Sequence, residues 1–506
     1  MSEKLAAPGG RTAASALAFD MGASSGRAYV GELKETPDGR RQLYVAEMHR
    51  FDNDAVRVGK HLHWDILRLL QDIKRGIRKT FQAGYAPATL GIDTWGVDFG
   101  LIDDNGELLG NPYHYRDPQT EGLIEELAGR FGADALFAAS GLQFMPFNTI
   151  YQLYAMSKAR SPKLAAARTL LLTPDLLSYL LTGIPTCEFT MATTTQLFDP
   201  RTRTWNKPLM RELGIPEGMF LEPVAPGTRI GRLSDEVLEE LRVPSLETVA
   251  VGSHDTASAI AAVPAAGEPF AYLVCGTWSL LGTELAEPVL APETLALSFS
   301  NEGGVDGTYQ LLKNIMGLWI LQECKREWEE AGEPHSHAEL VGLAEAAAPL
   351  RSFIDPDDAR FYAPSGMTDK IRAYCRETGQ PEPGTKGELV RCILESLALR
   401  YRQALEQAER LTGRRFGGLH MVGGGIQNRL LCRLSASAIG RPVWAGPAEA
   451  SAIGNLLMQF IAQGACEDLA EARRLVAASF PVDAYAPSEA EAWEQAYGRF
   501  MKLQRS

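Results

Sequence analysis

A glycine- and serine-rich turn near the start of the chain has residue types that bind phosphate. Its sequence runs from Asp20 to Arg27 as DMGASSGR. Gly22 and Gly26 let backbone amides approach an anion and permit a positive φ, while the serine hydroxyls and the Arg27 guanidinium are donors. Asp20, at the end of a predicted strand, is placed to hold a divalent cation through water. A plain polar hairpin is the alternative, and the spacing is not that of a P-loop.

Two further turns have a similar composition. In CGTWS, which begins at Cys275, the hydroxyls of Thr277 and Ser279 can hold the other end of a polyphosphate, although a simple hairpin explains the segment as well. In VGGGIQN (422–428), three glycines between a predicted strand and a helix let a flat ligand lie on bare backbone, or a phosphate meet the helix N-terminus. Close strand–helix packing is the alternative, and the spacing excludes a dinucleotide fingerprint.

Two acidic segments are candidates for proton transfer. In Ser253-His-Asp-Thr256, a carboxylate after a strand can accept a proton from a substrate hydroxyl, although these residue types are also common helix N-caps. Asp93 and Asp98 lie on either side of a Trp-Gly turn. Paired carboxylates of this kind suggest glycoside hydrolysis, or they are only the turn residues of a hairpin.

Composition restricts the function further. The 506 residues are 45% hydrophobic, which is typical of a globular protein, and the 63 acidic against 50 basic residues give a net charge of −13. Such a balance argues against nucleic acid as the main partner. Seven scattered cysteines without a C-x-x-C pair indicate a reduced compartment, and no signal peptide or membrane span is visible. We therefore expect a cytoplasmic protein with no membrane partner.

The order of predicted elements indicates an α/β protein. Strand, turn and strand occur around DMGASSGR and again around CGTWS, which predicts two similarly built halves. Residues 89–102 are a third predicted strand–turn–strand, and 264–269 are the best linker. Helices are predicted from apolar spacing at 64–82, 121–139, 150–160, 174–182, 315–331, 386–411, 428–438 and 450–463.

Taken in order along residues 16–465, these segments resemble the FGGY family of carbohydrate kinases. The phrases that carry the resemblance are DMGASSGR (20–27), HRF (49–51), GIDTWGVDF (91–99), YRDP (115–118), GLQFMPFNTIYQL (141–153), TTTQL (193–197), SHDTASA (253–259), GTWSLLG (276–282), NEGG (301–304), LKNIMGLWILQ (312–322), VGGGIQN (422–428) and AGPAEASAIGN (445–455). Met21 and Ile426 depart mildly from the family pattern, and neither removes a functional group.

The resemblance implies a fold and a domain organisation. It implies an α/β protein of two actin-like (ribonuclease H-like) ATPase domains with an interdomain cleft. We predict a flexible tail at residues 1–15, an N-terminal domain at 16–263 that binds sugar and phosphate, and a C-terminal domain at 264–506 that binds the nucleotide.

The resemblance also implies roles for individual residues. Asp255 is the implied proton acceptor, and Asp20 is the implied residue near Mg²⁺. The implied sugar contacts are Gly96, His254, Asp255, Thr256 and Asn314. The implied ATP contacts are Ala23, Ser24, Ser25, Gly26, Arg27, Thr277, Gln322 and Gly424.

The implied reaction is the ATP- and Mg²⁺-dependent phosphorylation of L-rhamnulose at its 1-hydroxyl, in L-rhamnose catabolism, by a monomer or homodimer. The first alternative is a related kinase acting on L-fuculose, L-xylulose or glycerol. An actin-like ATPase used as a chaperone or filament is the second alternative. The third is an inactive sugar sensor, which the presence of Asp255 and the phosphate turns disfavours.

Overall fold

The computed structural model describes residues 11–265, 267 and 269–503. Its strands are β1 (Arg11–Met21), β2 (Ser25–Glu35), β3 (Arg41–Asp52), β4 (Ala55–Val58), β5 (His61–Trp64), β6 (Thr89–Thr94), β7 (Phe99–Ile102), β8 (Thr169–Leu172), β9 (Phe198–Asp199), β10 (Thr204–Trp205), β11 (Arg229–Arg232), β12 (Glu247–Val249), β13 (Ala271–Cys275), β14 (Trp278–Leu285), β15 (Ser300–Gly303), β16 (Tyr309–Met316), β17 (Leu419–Val422), β18 (Val443–Ala445) and β19 (Asp483–Tyr485).

Helices separate most of these strands. They are α1 (Ile66–Gln82), α2 (Leu123–Phe131), α3 (Ala133–Ser140), α4 (Thr149–Lys158), α5 (Pro162–Ala166), α6 (Thr173–Thr182), α7 (Phe189–Thr193), α8 (Lys207–Glu212), α9 (Asp235–Leu241), α10 (Asp255–Ala261), α11 (Pro292–Ala296), α12 (Trp319–Glu330), α13 (His337–Ala346), α14 (Met367–Glu377), α15 (Lys386–Thr412), α16 (Arg429–Ile439), α17 (Ala450–Ala462), α18 (Leu469–Ser479) and α19 (Ala490–Leu503). None of the helices within the described residues is both long enough and apolar enough to cross a membrane.

The chain forms two compact units. The first contains the described residues of Met1–Ala266 with Leu285–Leu311 and Ala450–Ser479, and the second contains those of Gly267–Glu284, Leu312–Glu449 and Phe480–Ser506.

The predicted boundary at 263/264 is close to the first change of unit, and two segments of the predicted second domain, 285–311 and 450–479, are grouped with the first unit. The segment 450–479 belongs to the first unit because α17 is hydrogen-bonded to its sheet: Gln459 Nε2 donates to the Leu17 carbonyl at 3.0 Å. The segment 285–311 also belongs there, where Asn301 Nδ2 donates to the Gly141 carbonyl at 3.0 Å.

The first unit is built on a six-stranded sheet in the order β3-β2-β1-β6-β12-β11. Strands β1, β6 and β12 are parallel, and the outer pairs are antiparallel. Helix α1 covers this sheet with Leu69, Ile73 and Ile77, which are buried as their helical spacing predicts. Three two-stranded ribbons, β4-β5, β7-β8 and β9-β10, lie in the same unit.

The second unit repeats this strand order. Six neighbouring strands of its seven-stranded sheet run β16-β14-β13-β17-β18-β19, again with three parallel strands at the centre and antiparallel pairs beside them. The prediction of two similarly built α/β halves is therefore confirmed. Helix α15 is the longest in the described chain, begins at a capping box of Thr385 and Glu388, and ends at Gly413 with φ 65°.

Three local predictions were wrong. Residues 1–10 of the predicted tail lie outside the described residues, but 11–15 are the start of β1, paired with β2 as far as Glu35. Residues 315 and 316 end β16, so the predicted helix begins only at Trp319. Strands β6 and β7 do not form a hairpin, because β6 lies in the central sheet while β7 pairs with β8.

Candidate active site

The segment Ser253–Thr256 lies beside the carboxyl end of β6, a central strand of the first unit. The backbone N–H of Thr94, the last residue of β6, donates to the Ser253 carbonyl at 2.9 Å. Asp255 is the first residue of α10, where a carboxylate is favoured by the helix dipole. Its side chain remains 29% exposed, so a substrate hydroxyl can reach it.

A buried glutamate holds this segment by its backbone. Glu188 is fully buried, and its Oε2 accepts a hydrogen bond from the Ser253 N–H at 3.3 Å. The same carboxylate caps α7 through the Thr190 N–H at 2.9 Å, and the Thr190 hydroxyl accepts from the His254 N–H at 3.1 Å. Burial raises the pKa of Glu188 to about 7. Sequence reasoning missed Glu188 and Thr190, because nothing local connects them to residues about 65 positions later.

The His254 ring lies between two carboxylates. Its Nδ1 is 3.2 Å from Glu302 Oε2, and its Nε2 is 3.6 Å from Asp255 Oδ1. Burial acts to lower the pKa of His254, but the hydrogen bond and charge of Glu302, with Asp255, raise it above its usual value. Burial raises the pKa of Asp255, and the charge of His254 opposes that rise. The predicted base therefore has an imidazole ring beside it within its own unit.

A pair of aspartates lies at the carboxyl ends of neighbouring parallel strands. Asp20 of β1 is in register with Asp93 of β6. Asp93 is fully buried, Asn455 Nδ2 donates to its Oδ2 at 2.6 Å, and its Oδ1 receives no hydrogen bond from the described residues. Burial, followed by the Asp20 charge, raises the pKa of Asp93 well above its usual range.

This donor set fits Mg²⁺, which binds proteins through one or two carboxylates and keeps waters and phosphate oxygens as its other ligands. No cluster of three or more His, Cys, Asp or Glu side chains able to hold a metal occurs among the described residues. Asp20 lies near the carboxyl end of β1, and Asp93 beside it is a second carboxylate, for which the sequence predicted only a turn or hydrolase role.

The turn at Ala23–Arg27 joins β1 to β2 and is braced by Asn53. Asn53 Nδ2 donates to the Gly22 carbonyl at 3.0 Å, and the Gly22 N–H donates to the Ser25 carbonyl at 2.9 Å. Neither Gly22 nor Gly26 has a positive φ, so that part of the prediction was wrong. Gly26 is required instead because a Cβ there would overlap the ring of Phe51.

Gly96 lies in a turn whose next residue is strained. Val97 has φ 68°, which is unusual for a β-branched residue, and the hydroxyls of Thr149 and Thr194 bind its carbonyl and N–H at 2.6 and 3.2 Å. A Cβ on Gly96 would lie 3.2 Å from the Thr194 side chain. Backbone strain retained by surrounding hydrogen bonds is typical of ligand-binding turns.

Asp98 has a structural role that excludes the paired-carboxylate hydrolase alternative. It is fully buried, and its oxygens accept hydrogen bonds from Trp64 Nε1 at 2.5 Å, Trp95 Nε1 at 3.0 Å and Gln152 Nε2 at 2.8 Å. Burial raises its pKa to about 7 against these hydrogen bonds. A carboxylate enclosed by indoles and an amide cannot activate a water molecule.

The second unit brings three of the predicted nucleotide residues to one edge of its sheet. Thr277 follows β13 and Gly424 follows β17, and these strands are parallel neighbours. Thr277 Oγ1 donates to Gln322 Oε1 at 3.4 Å, and the Trp319 N–H donates to the Thr277 carbonyl at 3.1 Å. Asn314, which is predicted to contact the sugar, also belongs to this unit and lies within β16.

The three glycines of VGGG differ in their surroundings. A Cβ on Gly425 would overlap the Cys275 side chain, and one on Gly423, which has φ 89°, would lie 2.9 Å from the Cys275 carbonyl. A Cβ on Gly424 would meet nothing within 4 Å. Close packing therefore explains Gly423 and Gly425, whereas Gly424 leaves bare backbone beside open space.

Comparison with known proteins extends over almost the whole chain. Residues 15–262 and 271–463 match the N-terminal and C-terminal domains of the FGGY family of carbohydrate kinases. A rhamnulokinase from Bacteroides thetaiotaomicron is 44% identical over 97% of this chain and 99% of its own length. A second rhamnulokinase, from Pectobacterium carotovorum, is 42% identical over 96% of each chain.

Solved structures show the same fold at low sequence identity. A ligand-bound xylulose kinase from Lactobacillus acidophilus has a TM-score of 0.78 at 16% identity, over 97% of this chain and 98% of that one. Plasmodium falciparum glycerol kinase with ADP has a TM-score of 0.75 at 14% identity, over 97% of each chain.

Proposed function

The chain belongs to the FGGY family of carbohydrate kinases and is an ATP-dependent sugar kinase, and we propose that it phosphorylates L-rhamnulose at its 1-hydroxyl. The products are L-rhamnulose 1-phosphate and ADP, which assigns the enzyme to L-rhamnose catabolism. The choice of L-rhamnulose as the substrate is supported by the similarity to two rhamnulokinases, at 44% and 42% identity over nearly the full chain.

The proposed mechanism centres on Asp255. Its exposed carboxylate accepts the proton of the sugar 1-hydroxyl while that oxygen attacks the γ-phosphorus of ATP, and the bond to ADP breaks. When bound, Mg²⁺ neutralises phosphate charge, and Asp20 with Asp93 would hold it. Gly96, His254 and Thr256 are the proposed sugar contacts of the first unit, and Asn314 is that of the second.

Each unit also contributes proposed contacts to ATP. Donors from Ala23–Arg27 support phosphate binding, because the turn is held in shape by Asn53. In the second unit, Thr277, Gln322 and the open backbone at Gly424 are the proposed nucleotide contacts. The seven buried free cysteines support the expected cytoplasmic location.

A coupled ADP-release assay tests the substrate. We expect L-rhamnulose to give the highest kcat/KM among L-rhamnulose, L-fuculose, L-xylulose and glycerol, and NMR of the product to show phosphate on carbon 1. A higher kcat/KM for another acceptor would replace the proposed sugar. ADP release that no sugar stimulates would instead favour the chaperone or filament ATPase.

Substitution of neighbouring glycines tests the nucleotide site. Gly424→Ala is expected to raise the KM for ATP by about 10-fold, which is about 1.4 kcal/mol of binding, with an unchanged Tm because its Cβ meets no atom. Gly425→Ala is the matched control and is expected to lower the Tm, since its Cβ overlaps Cys275. An unchanged KM for ATP in Gly424→Ala would remove Gly424 from the nucleotide site.

A further inference from the structure

Glu302 lies in a backbone segment that is fixed on both sides. Within β15, the Asn301 N–H donates to the Gly141 carbonyl at 2.8 Å. The Gly303 N–H donates to the Thr193 hydroxyl at 2.7 Å. With both neighbours tied to other elements of the first unit, the Glu302 backbone is fixed and its side chain starts from a defined position.

The Glu302 carboxylate is directed at the imidazole ring of His254. Its side chain is only 10% exposed, and its ion pair is with His254, whose Nδ1 lies 3.2 Å from Oε2. Burying a carboxylate is costly unless a charged or hydrogen-bonding partner compensates. His254 is that partner, and its own side chain is 12% exposed.

The other ring nitrogen of His254 lies beside the proposed base. Nε2 is 3.6 Å from Asp255 Oδ1, and the Thr256 hydroxyl donates to the same oxygen at 3.2 Å. Both side-chain contacts fall on Oδ1, which leaves Oδ2 without a side-chain hydrogen bond among the described residues. A carboxylate 3.2 Å from Nδ1 restricts the orientation of the imidazole ring.

We propose that Glu302 is a positioning residue for phosphoryl transfer: its carboxylate fixes the His254 imidazole so that Nε2 stays on Oδ1 of Asp255. Glu302 does not touch the reacting atoms. It acts through His254, which orients one oxygen of Asp255 so that the other can accept the proton of the sugar hydroxyl. This inference rests on the proposed role of Asp255 and extends the site to a residue of β15.

The test compares Glu302→Ala and Glu302→Gln in the full chain. We expect Glu302→Ala to lower kcat by about 10- to 100-fold, as is usual when a residue that orients a functional histidine is removed. The KM for ATP should stay within about twofold of the parent value. Glu302→Gln keeps an oxygen acceptor for Nδ1–H and should recover part of the lost kcat, with normal folding checked by the Tm.

Glu395→Gln is the matched control. Glu395 is a buried glutamate of the second unit, 1% exposed and paired with Arg391 at 2.5 Å, so its replacement removes a comparable ion pair away from Asp255. Its kcat should remain within about twofold of the parent value. An equal loss in Glu395→Gln and Glu302→Ala would overturn the proposal, because the effect would then be general destabilisation.

A spectroscopic measurement tests the contact between Glu302 and His254 independently of which sugar is the substrate. In protein with ¹⁵N-labelled histidine, the ring signals of His254, assigned with His254→Gln, should show changed ¹⁵N chemical shifts in Glu302→Ala, because the carboxylate beside Nδ1 is removed. This measurement needs no sugar, so it supports or overturns the contact even if the preferred ketose is not L-rhamnulose. Unchanged ring signals, or a kcat within about twofold of the parent value in Glu302→Ala, would overturn the proposal.

Discussion

Asp255→Asn is expected to lower kcat by about 100-fold or more while ATP still binds, because an amide has the same shape as the carboxylate but cannot accept the hydroxyl proton. The side chain is partly exposed at the start of α10, so the substitution leaves the buried contacts of the segment in place. The backbone bonds from Ser253 to Glu188 and from His254 to Thr190 do not depend on it. Turnover is measured by coupled ADP release and ATP affinity by titration calorimetry.

Asp235→Asn is the matched control for this variant. Asp235 is also the first residue of a seven-residue helix of the first unit, α9, and it is exposed. Any effect of removing an acidic residue from a helix N-terminus should be common to both variants. Near-normal turnover in Asp255→Asn would contradict the assignment of the base, and so would an equal loss in Asp235→Asn.

Gly454→Ala is expected to destabilise the first unit strongly. Gly454 lies in α17 where that helix crosses α10, and a Cβ would overlap the carbonyl oxygen of Ser258. Because the obstacle is backbone, no side-chain rotation relieves it, and the helices must separate. We expect a loss of about 3 kcal/mol in the free energy of unfolding and a fall in Tm of at least about 5 °C by calorimetry.

The separation of α10 from α17 in Gly454→Ala should also reduce activity. Helix α10 begins at Asp255, and the residue after Gly454 is Asn455, which donates to Asp93 at 2.6 Å. The control is Gly129→Ala in α2, an exposed helical glycine of the first unit whose added Cβ meets nothing within 4 Å. Its Tm should be unchanged or slightly higher. An unchanged Tm in Gly454→Ala would mean that α10 and α17 can move apart without cost.

The sequence predicted much of the fold because the fold depends on local patterns. Helical spacing of Ile73 and Ile77 is the pattern of a buried face, and the structure confirms it in α1. The repeated strand–turn–strand around 22 and 276 predicted two similar units, and six strands of each sheet have the same order. Membership of 450–479 in the first unit was not predicted, because a helical pattern does not say which sheet the helix will cover.

The candidate site also contains features that the sequence predicted and others that it could not predict. DMGASSGR and SHDT contain residue types whose chemistry can be read from their composition, and the structure places Asp20 and Asp255 at the ends of elements in the first unit. The glycines of VGGG could not be ranked from sequence. The space around each glycine depends on Cys275, which lies on a neighbouring strand. An added Cβ on Gly423 or Gly425 would contact Cys275, whereas one on Gly424 would contact nothing within 4 Å.

The sequence by itself determined the α/β class, the candidate phosphate-binding turns and the candidate base, because strand and helix periodicity and side-chain chemistry are local properties. Only the tertiary structure decided what surrounds these residues. Glu302 faces His254 across 48 positions of the chain, and Asn455 donates to Asp93 across 362. Such contacts form because parallel strands and packed helices bring distant segments to one edge of a sheet, and burial there sets the charge and orientation of each group.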